Sequence, residues 1–413
     1  MTRKSSLLGL AVAVAAAWMA GTPLSAIAAP RDKSPAWVTA WATSQQGLGP
    51  TKISNSTVRM IARVTVPGES VRVRLDNTFG TAPVVFGKAT IGLRARGPAV
   101  AAGLVRPLTF GGKDSVTIAA GATVTSDPVA LRVEALQDIA VSLFVPAADV
   151  QPSQHNNAVV TSYLTDNGAG DQSASEDGKP FSAKTTSMLW LKSIDVIPDG
   201  RATTIVALGD SITDGTCSTL DAHDRWEDAL AERFALGKRV AHAVINEGIG
   251  GNTVTSANLD PPANSPAGVD RLDRDVFSHA GVTHVVLFLG TNDIRREAPA
   301  DQVIAGIKDI VARVKQKGIK IIGVTIIPRD SVVPGIPDTG WNDAKTKIRN
   351  EVNDWIRTQA GFDGVLDFDK LVRDRGNPDI ISVAYDCGDG IHPSPFGYFL
   401  LGKSVDLGLF KKK

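Results

Sequence analysis

Thr-Thr-Ile-Val-Ala-Leu-Gly-Asp-Ser-Ile, residues 203–212, is the stretch from which the fold of this chain can be read. Thr203–Leu208 is an apolar run of strand length, too short for a helix. It breaks at Gly209–Asp210–Ser211–Ile212, a strand-to-helix turn that leaves a serine exposed. Downstream the alternation repeats. Arg225–Phe234 predicts a helix with Trp226, Leu230 and Phe234 on one face. Val240–Asn246, Val282–Leu289, Ile319–Ile327 and Val365–Phe368 predict strands. Ala300–Lys317 and Trp341–Ala360 predict amphipathic helices. Buried strands spaced by helices predict a parallel sheet covered on both faces, with ligands beyond the carboxyl ends of its strands.

Upstream of the turn Asp199–Gly200 the rhythm is different. Short alternating runs recur at Thr57–Val66, Ser70–Leu75, Lys88–Ala95, Ser115–Ile118, Ile139–Val145 and Val159–Tyr163, punctuated by Gly, Pro, Asn and Asp. Val71–Leu75 shows the period of two most clearly, apolar in and basic out. This predicts an all-β sandwich of jelly-roll type, with Asp166–Lys184 as a loop. The first residues predict a secretory signal: Arg3 and Lys4, an apolar run Leu7–Met19, and small residues Ala26–Ala29. The expected organisation is a signal peptide over 1–29, a β-sandwich accessory domain over 36–195 and a catalytic domain over 200–413. The expected location is secreted or periplasmic, with no integral membrane segment after cleavage.

Lys and Arg number 44 and Asp and Glu 43. That balance gives no electrostatic argument for nucleic acid or an anionic membrane as partner. Cys217 and Cys387 are the two cysteines. Each lies close in sequence to a polar cluster, and export makes a disulfide between them possible.

Four polar clusters carry the chemistry, three of them directly after strands: Gly209–Ile212, Asn246–Asn252, Gly290–Asp293 and Asp389–Ser394. Acyl transfer needs a nucleophile, a base in contact with it, a group that orients the base, and donors aimed at the developing oxyanion. Ser211 suits the nucleophile, His392 the base and Asp389 the orienting acid. Gly251 offers an unobstructed backbone N–H and Asn292 a side-chain amide; with the Ser211 N–H these form a candidate oxyanion hole. Asp210 and Asp293 are expected to hold turn backbones. His223 is a candidate for the substrate rim, while His155, His242, His279 and His284 read as structural. Gly397–Ser404 matches a P-loop pattern but follows two prolines and reads as a closing helix. No His-Glu-x-x-His or paired Cys-x-x-Cys is present, so neither a catalytic zinc nor another cofactor is expected.

The four clusters, in order, resemble the sequence blocks of the SGNH/GDSL hydrolases. Ser211, Gly251, Asn292 and His392 match the four residues for which that family is named, and Asp389 matches the aspartate of its Asp-x-x-His. The first block reads Gly-Asp-Ser-Ile here, with Ile in place of the family's Leu. The resemblance implies an α/β, flavodoxin-like three-layer catalytic domain and a serine esterase working through an acyl-enzyme. The N-terminal half looks like the β-rich domain that precedes this catalytic domain in some secreted bacterial esterases, including xylan esterases. The expected substrate is a small-molecule or polysaccharide ester, deacylated at short, acetyl-type groups. Longer acyl or aryl esters are the first alternative. The alternative of another class is a polysaccharide- or surface-binding protein dominated by the β half, with Trp37, Trp41 and Trp190 as candidate sugar-stacking residues against a core-packing role. Oligomeric state is not legible.

Overall fold

The computed structural model describes residues 37–237, 241–329 and 340–411. The predicted signal segment 1–29 lies outside them. The principal strands are β1 (Val38–Ala42), β2 (Ser56–Val64), β3 (Gly68–Asp76), β4 (Lys88–Arg96), β5 (Val129–Val133), β6 (Gln137–Val145), β7 (Leu191–Ile197), β8 (Ala202–Gly209), β9 (Ala241–Gly248), β10 (Val282–Phe288), β11 (Lys320–Val324) and β12 (Gly364–Leu366). The helices are α1 (Ser211–Asp214), α2 (Trp226–Ala235), α3 (Thr291–Arg295), α4 (Ala300–Gln316), α5 (Asp343–Thr358), α6 (Phe368–Val372) and α7 (Pro395–Ser404).

Strands β1 to β7 and several shorter ones form antiparallel sheets. One carries β1, β7, β3 and β5; the other carries β2, β6 and β4. Their inner faces share one core, with Val71, Val73 and Leu75 of β3 meeting Val58, Met60 and Ala62 of β2 and Ile139, Val141 and Leu143 of β6. This is sandwich packing, with period-two side chains pointing inward from both sheets. The outer face of β2 and β6 is closed as well. Ile61 and Ala140 lie under Val160, Tyr163 and Phe181. The loop that covers them is held by buried Arg59, which donates to Ser142 Oγ and to the carbonyls of Pro98, Ser173 and Ser175. The predicted loop Asp166–Lys184 is thus a lid over a sheet face rather than a free surface segment.

After Ile197 the chain crosses to a five-stranded parallel sheet, ordered β9-β8-β10-β11-β12. Counted along this half, the order is 2-1-3-4-5, the doubly wound arrangement. Alternate residues of β8 show why both faces must be covered. Val206 and Leu208 pack with Val303, Ile310 and Val352 of α4 and α5. Ile205 and Ala207 pack with Trp226, Leu230 and Leu401 of α2 and α7. Among the described residues no helix is long and apolar enough to cross a membrane.

The two halves are continuous. The described residues belong to one compact unit. Thr39 of β1 donates to the Ala280 carbonyl and accepts, at its own carbonyl, from Thr204 Oγ1. Ala243 of β9 belongs to the sandwich core, and Ala42 of β1 to the core beneath α4 and α5. The basic face of β3 does not open to solvent throughout: Arg72 pairs with Asp195, and Arg74 donates to Ser278 in the α/β half. Trp190 is wholly buried, edge-on to Phe86, and Trp37 lies beneath the Arg72 guanidinium.

Candidate active site

Strand β8 ends at Gly209, and Asp210 caps α1 by accepting from the Ile212 N–H. Ser211 is therefore the first residue of the helix, where a backbone N–H has no intrahelical acceptor. Gly215, at φ 100°, ends the helix after one turn. The loop after β9 folds against this turn. At Gly248 a Cβ would lie 2.3 Å from the Asp214 nitrogen, so only glycine permits the approach. The Gly250 N–H donates to Asp214 Oδ2 at 2.8 Å, and Gly251 sits at φ 74°. After β10, Gly290 opens α3, whose Asn292 Nδ2 donates to the Asn252 carbonyl at 3.0 Å. One amide hydrogen is thereby used and the other remains for a ligand.

The fourth cluster arrives from the opposite end of the sequence. The Cys387 N–H donates to the His392 carbonyl and the Ser394 N–H to that of Tyr385. Ser394 then caps α7 through the Gly397 N–H. Cys387 is joined to Cys217 by a disulfide, which ties this loop to the segment just after α1. His392 Nε2 consequently lies 2.8 Å from Ser211 Oγ, and His392 Nδ1 lies 2.6 Å from Asp389 Oδ2. Asp389 Oδ1 accepts from the N–H groups of Ile391 and His392. Burial would raise the Asp389 carboxyl, but its bonds from His392 outweigh that and hold it at about 2. An ionised Asp389 fixes the proton on Nδ1 and leaves Nε2 to accept from the serine hydroxyl.

The structure thus brings Ser211, His392 and Asp389 into one hydrogen-bonded line, with Gly251 on the loop after β9 and Asn292 in α3, just after β10. All lie beyond the carboxyl ends of the parallel sheet, where its strand order reverses. A model of the GDSL-like lipase/acylhydrolase family matches residues 207–400. This match supports the SGNH/GDSL hydrolase family for the C-terminal half of the chain. Among solved structures it is similar to Est24, a carbohydrate acetylesterase from Sinorhizobium meliloti, at 21% identity over 48% of this chain and 94% of that one, TM-score 0.36. It is also similar to a GDSL-like lipase from Bacteroides thetaiotaomicron, at 21% identity over 50% of this chain and 87% of that one, TM-score 0.37. No curated protein matches the chain.

The remaining polar residues of the C-terminal half have other places. Asp293 accepts from the Val254 and Thr255 N–H groups, a turn-holding role like that of Asp210. Burial raises both carboxyls to about 7. His223 is not on a rim: it is buried at the junction of the halves, 3.6 Å from Asp138. His242 and His284 pack on Phe410 beside the first residues of β9 and β10, the opposite end of the sheet, and burial lowers both. The Gly397–Ser404 run lies within α7. Cys217, Cys387 and Asp389 converge closely enough to suggest a metal site. Both sulfurs are bonded to each other, so neither is available as a thiolate ligand.

Two groups near the site have no signature in the sequence. His155, from the antiparallel half, is buried and lies 2.9 Å from Asp214 Oδ1, the carboxylate that also receives the Gly250 N–H. Burial alone would lower His155, but Asp214 and two backbone carbonyls raise it. Beneath the loops, Lys192, Glu247, Arg271 and Asp275 form a fully buried ionic cluster.

Proposed function

We propose that the protein is a serine carboxylic-ester hydrolase acting through an acyl-enzyme. The observation that carries this reading is the line Ser211 Oγ–His392 Nε2–His392 Nδ1–Asp389 Oδ2, at 2.8 and 2.6 Å. In it, His392 takes the Ser211 proton as Oγ attacks the ester carbonyl. The oxyanion is held by the N–H groups of Ser211 and Gly251 and by the free Asn292 amide hydrogen. His392 delivers the proton to the departing alcohol, then activates the water that releases the acid. Asp389 stays ionised and stabilises the imidazolium.

The acyl group we assign is short, acetyl-type, and the alcohol a carbohydrate. Support comes from the openness of the site. The Asp389 side chain is 30% exposed, and Phe396, at the start of α7, is exposed and packs against Tyr385 with ring centroids 5.9 Å apart. An exposed aromatic pair beside the loop of the base suits the flat face of a sugar. The predicted signal segment and a disulfide, which persists in oxidising compartments, support export. Ser211→Ala should abolish hydrolysis of 4-nitrophenyl acetate and of acetylated polysaccharide while leaving the circular dichroism spectrum unchanged. Hydrolysis at the wild-type rate by a folded Ser211→Ala protein would refute the assignment.

A further inference from the structure

We propose that Arg271 is a positioning residue for the oxyanion side of this site, and that Ser44 and Lys192 of the antiparallel half hold it in place. The proposal rests on the serine-esterase reading above.

Arg271 stands between two short helical turns, Gly268–Asp270 and Asp273–Phe277, and its side chain is completely buried. Its contacts converge on the strand ends that present the site. Nη2 donates to the Gly209 carbonyl at 2.9 Å, two residues before Ser211. Nη1 donates to the Glu247 carbonyl at 2.8 Å, at the end of β9 and four residues before Gly251. Nε and Nη2 both reach Asn252 Oδ1, at 3.1 and 3.0 Å. Asn252 in turn offers its backbone carbonyl to Asn292 Nδ2 at 3.0 Å. One planar group therefore ties the Ser211 and Gly251 segments together directly and reaches the Asn292 segment through Asn252. The Asn292 amide is oriented by the residue that Arg271 grips. Only a guanidinium can do this, because its donors form a fixed fork, whereas an ammonium is a point charge.

A buried guanidinium requires a buried counter-charge. Asp275 Oδ2 supplies it at 3.1 Å from Nη1. Asp275 is shared with Arg274 and with Lys192, whose Nζ lies 2.7 Å from Oδ1 and 2.9 Å from Glu247 Oε2. Ser44 Oγ accepts from Arg271 Nη1 at 2.9 Å and donates to Glu247 Oε2 at 2.5 Å. Glu247 also faces His279 Nε2 at 2.6 Å. Ser44 follows β1, and Lys192 lies in β7. Neither belongs to the C-terminal half, yet Ser44 touches Arg271 directly and Lys192 reaches it through the shared Asp275. The antiparallel half is in this way part of the catalytic apparatus and not only a neighbour of it.

The test uses the full chain and 4-nitrophenyl acetate. Reactive serine is titrated with an organophosphonate so that rates refer to folded protein. Asn252→Ala leaves every charge in place and removes one of the Arg271 acceptors, the one that links it to Asn292; Arg271→Lys keeps the pairing with Asp275 and removes the fork. Each is expected to lower kcat roughly 10- to 100-fold with KM within about twofold of wild type. Because Asn252 acts through Asn292, combining Asn252→Ala with Asn292→Ala should make the protein no slower than Asn292→Ala alone. A general structural defect would instead multiply the two losses, and that result overturns the proposal, as does a wild-type kcat in Asn252→Ala. Ser44→Ala should lower kcat and add little to the loss in Arg271→Lys, through which it acts; a wild-type kcat there overturns the part assigned to the antiparallel half. Should Ser211→Ala remain active, it is the esterase reading that fails, and the two failures are distinguishable.

Discussion

Replacing both cysteines by serine removes the bond between Cys217 and Cys387 and leaves no lone thiol. The bridge spans 170 residues. On the chain-entropy model, closing a loop of that length restricts the unfolded ensemble by about 5 kcal/mol. With a urea m-value of roughly 3 kcal/mol per M, that corresponds to a midpoint lower by up to about 1.7 M. Activity should suffer less. The Asp389–His392 loop keeps its Cys387 N–H to His392 carbonyl bond, and the Tyr398 hydroxyl still donates to the Thr216 carbonyl at 2.7 Å. These hold the base near Ser211 without the sulfurs. The expected kcat loss is therefore below about tenfold, well short of the 10² that misplacing a reacting group by an ångström costs. Urea unfolding followed by tryptophan fluorescence and initial rates on 4-nitrophenyl acetate measure the two effects separately. A midpoint change below about 0.3 M would refute the entropic argument. Complete loss of activity in folded protein would show that the bridge, not the backbone bonds, places His392.

Asp389→Asn replaces an acceptor that holds the proton on His392 Nδ1 with an amide that can stabilise the wrong tautomer. It should lower kcat by about 10³–10⁴ with little change in Tm, read by steady-state kinetics and calorimetry. Asp210 is raised to about 7 by burial, against about 3.9 in an unfolded chain. The folded state thus binds more protons between these values, and this group's contribution falls as pH rises from about 4 to 7, by up to about 4 kcal/mol. Asp210→Asn, which keeps an acceptor for the Ile212 N–H, should flatten that part of the stability curve; an unchanged slope in urea titrations across the window counts against the raised carboxyl. Residues 200–413 produced alone lose Lys192 and Ser44, leaving Glu247 and Asp275 short of partners, and should show no cooperative unfolding transition by calorimetry.

The distribution of what the sequence disclosed follows the range of the interactions involved. Ser211, Gly251, Asn292, Asp389 and His392 each sit in a turn whose local chemistry is written within a few residues. Glycines stand where backbone must approach closely, as at Gly248 against Asp214, and a histidine stands three residues after an aspartate. Such features can be read one segment at a time. Strand β8 could be read too, because alternate residues face two helical layers and both sets are apolar. Lys192 could not. It lies in Leu-Lys-Ser-Ile-Asp-Val-Ile, residues 191–197, where a lysine beside alternating apolar residues reads as a solvent-facing position of an edge or surface strand. Its partners Glu247 and Asp275 are 55 and 83 residues away. The same blindness placed the basic side of β3 in water, although Arg74 reaches Ser278 across 204 residues. A charge run records only that a face is polar. Whether that face meets solvent or another buried charge is set by the packing of the antiparallel half on the α/β half, and no pattern within either half encodes it. The consequence is specific to this protein. The groups that would carry out bond-making are legible in the C-terminal half alone, whereas the groups argued to hold the oxyanion donors to their geometry are divided between the halves. A homologous catalytic block set on a different neighbour would keep the serine, histidine and aspartate, and would need another source for the two contacts that Ser44 and Lys192 make here.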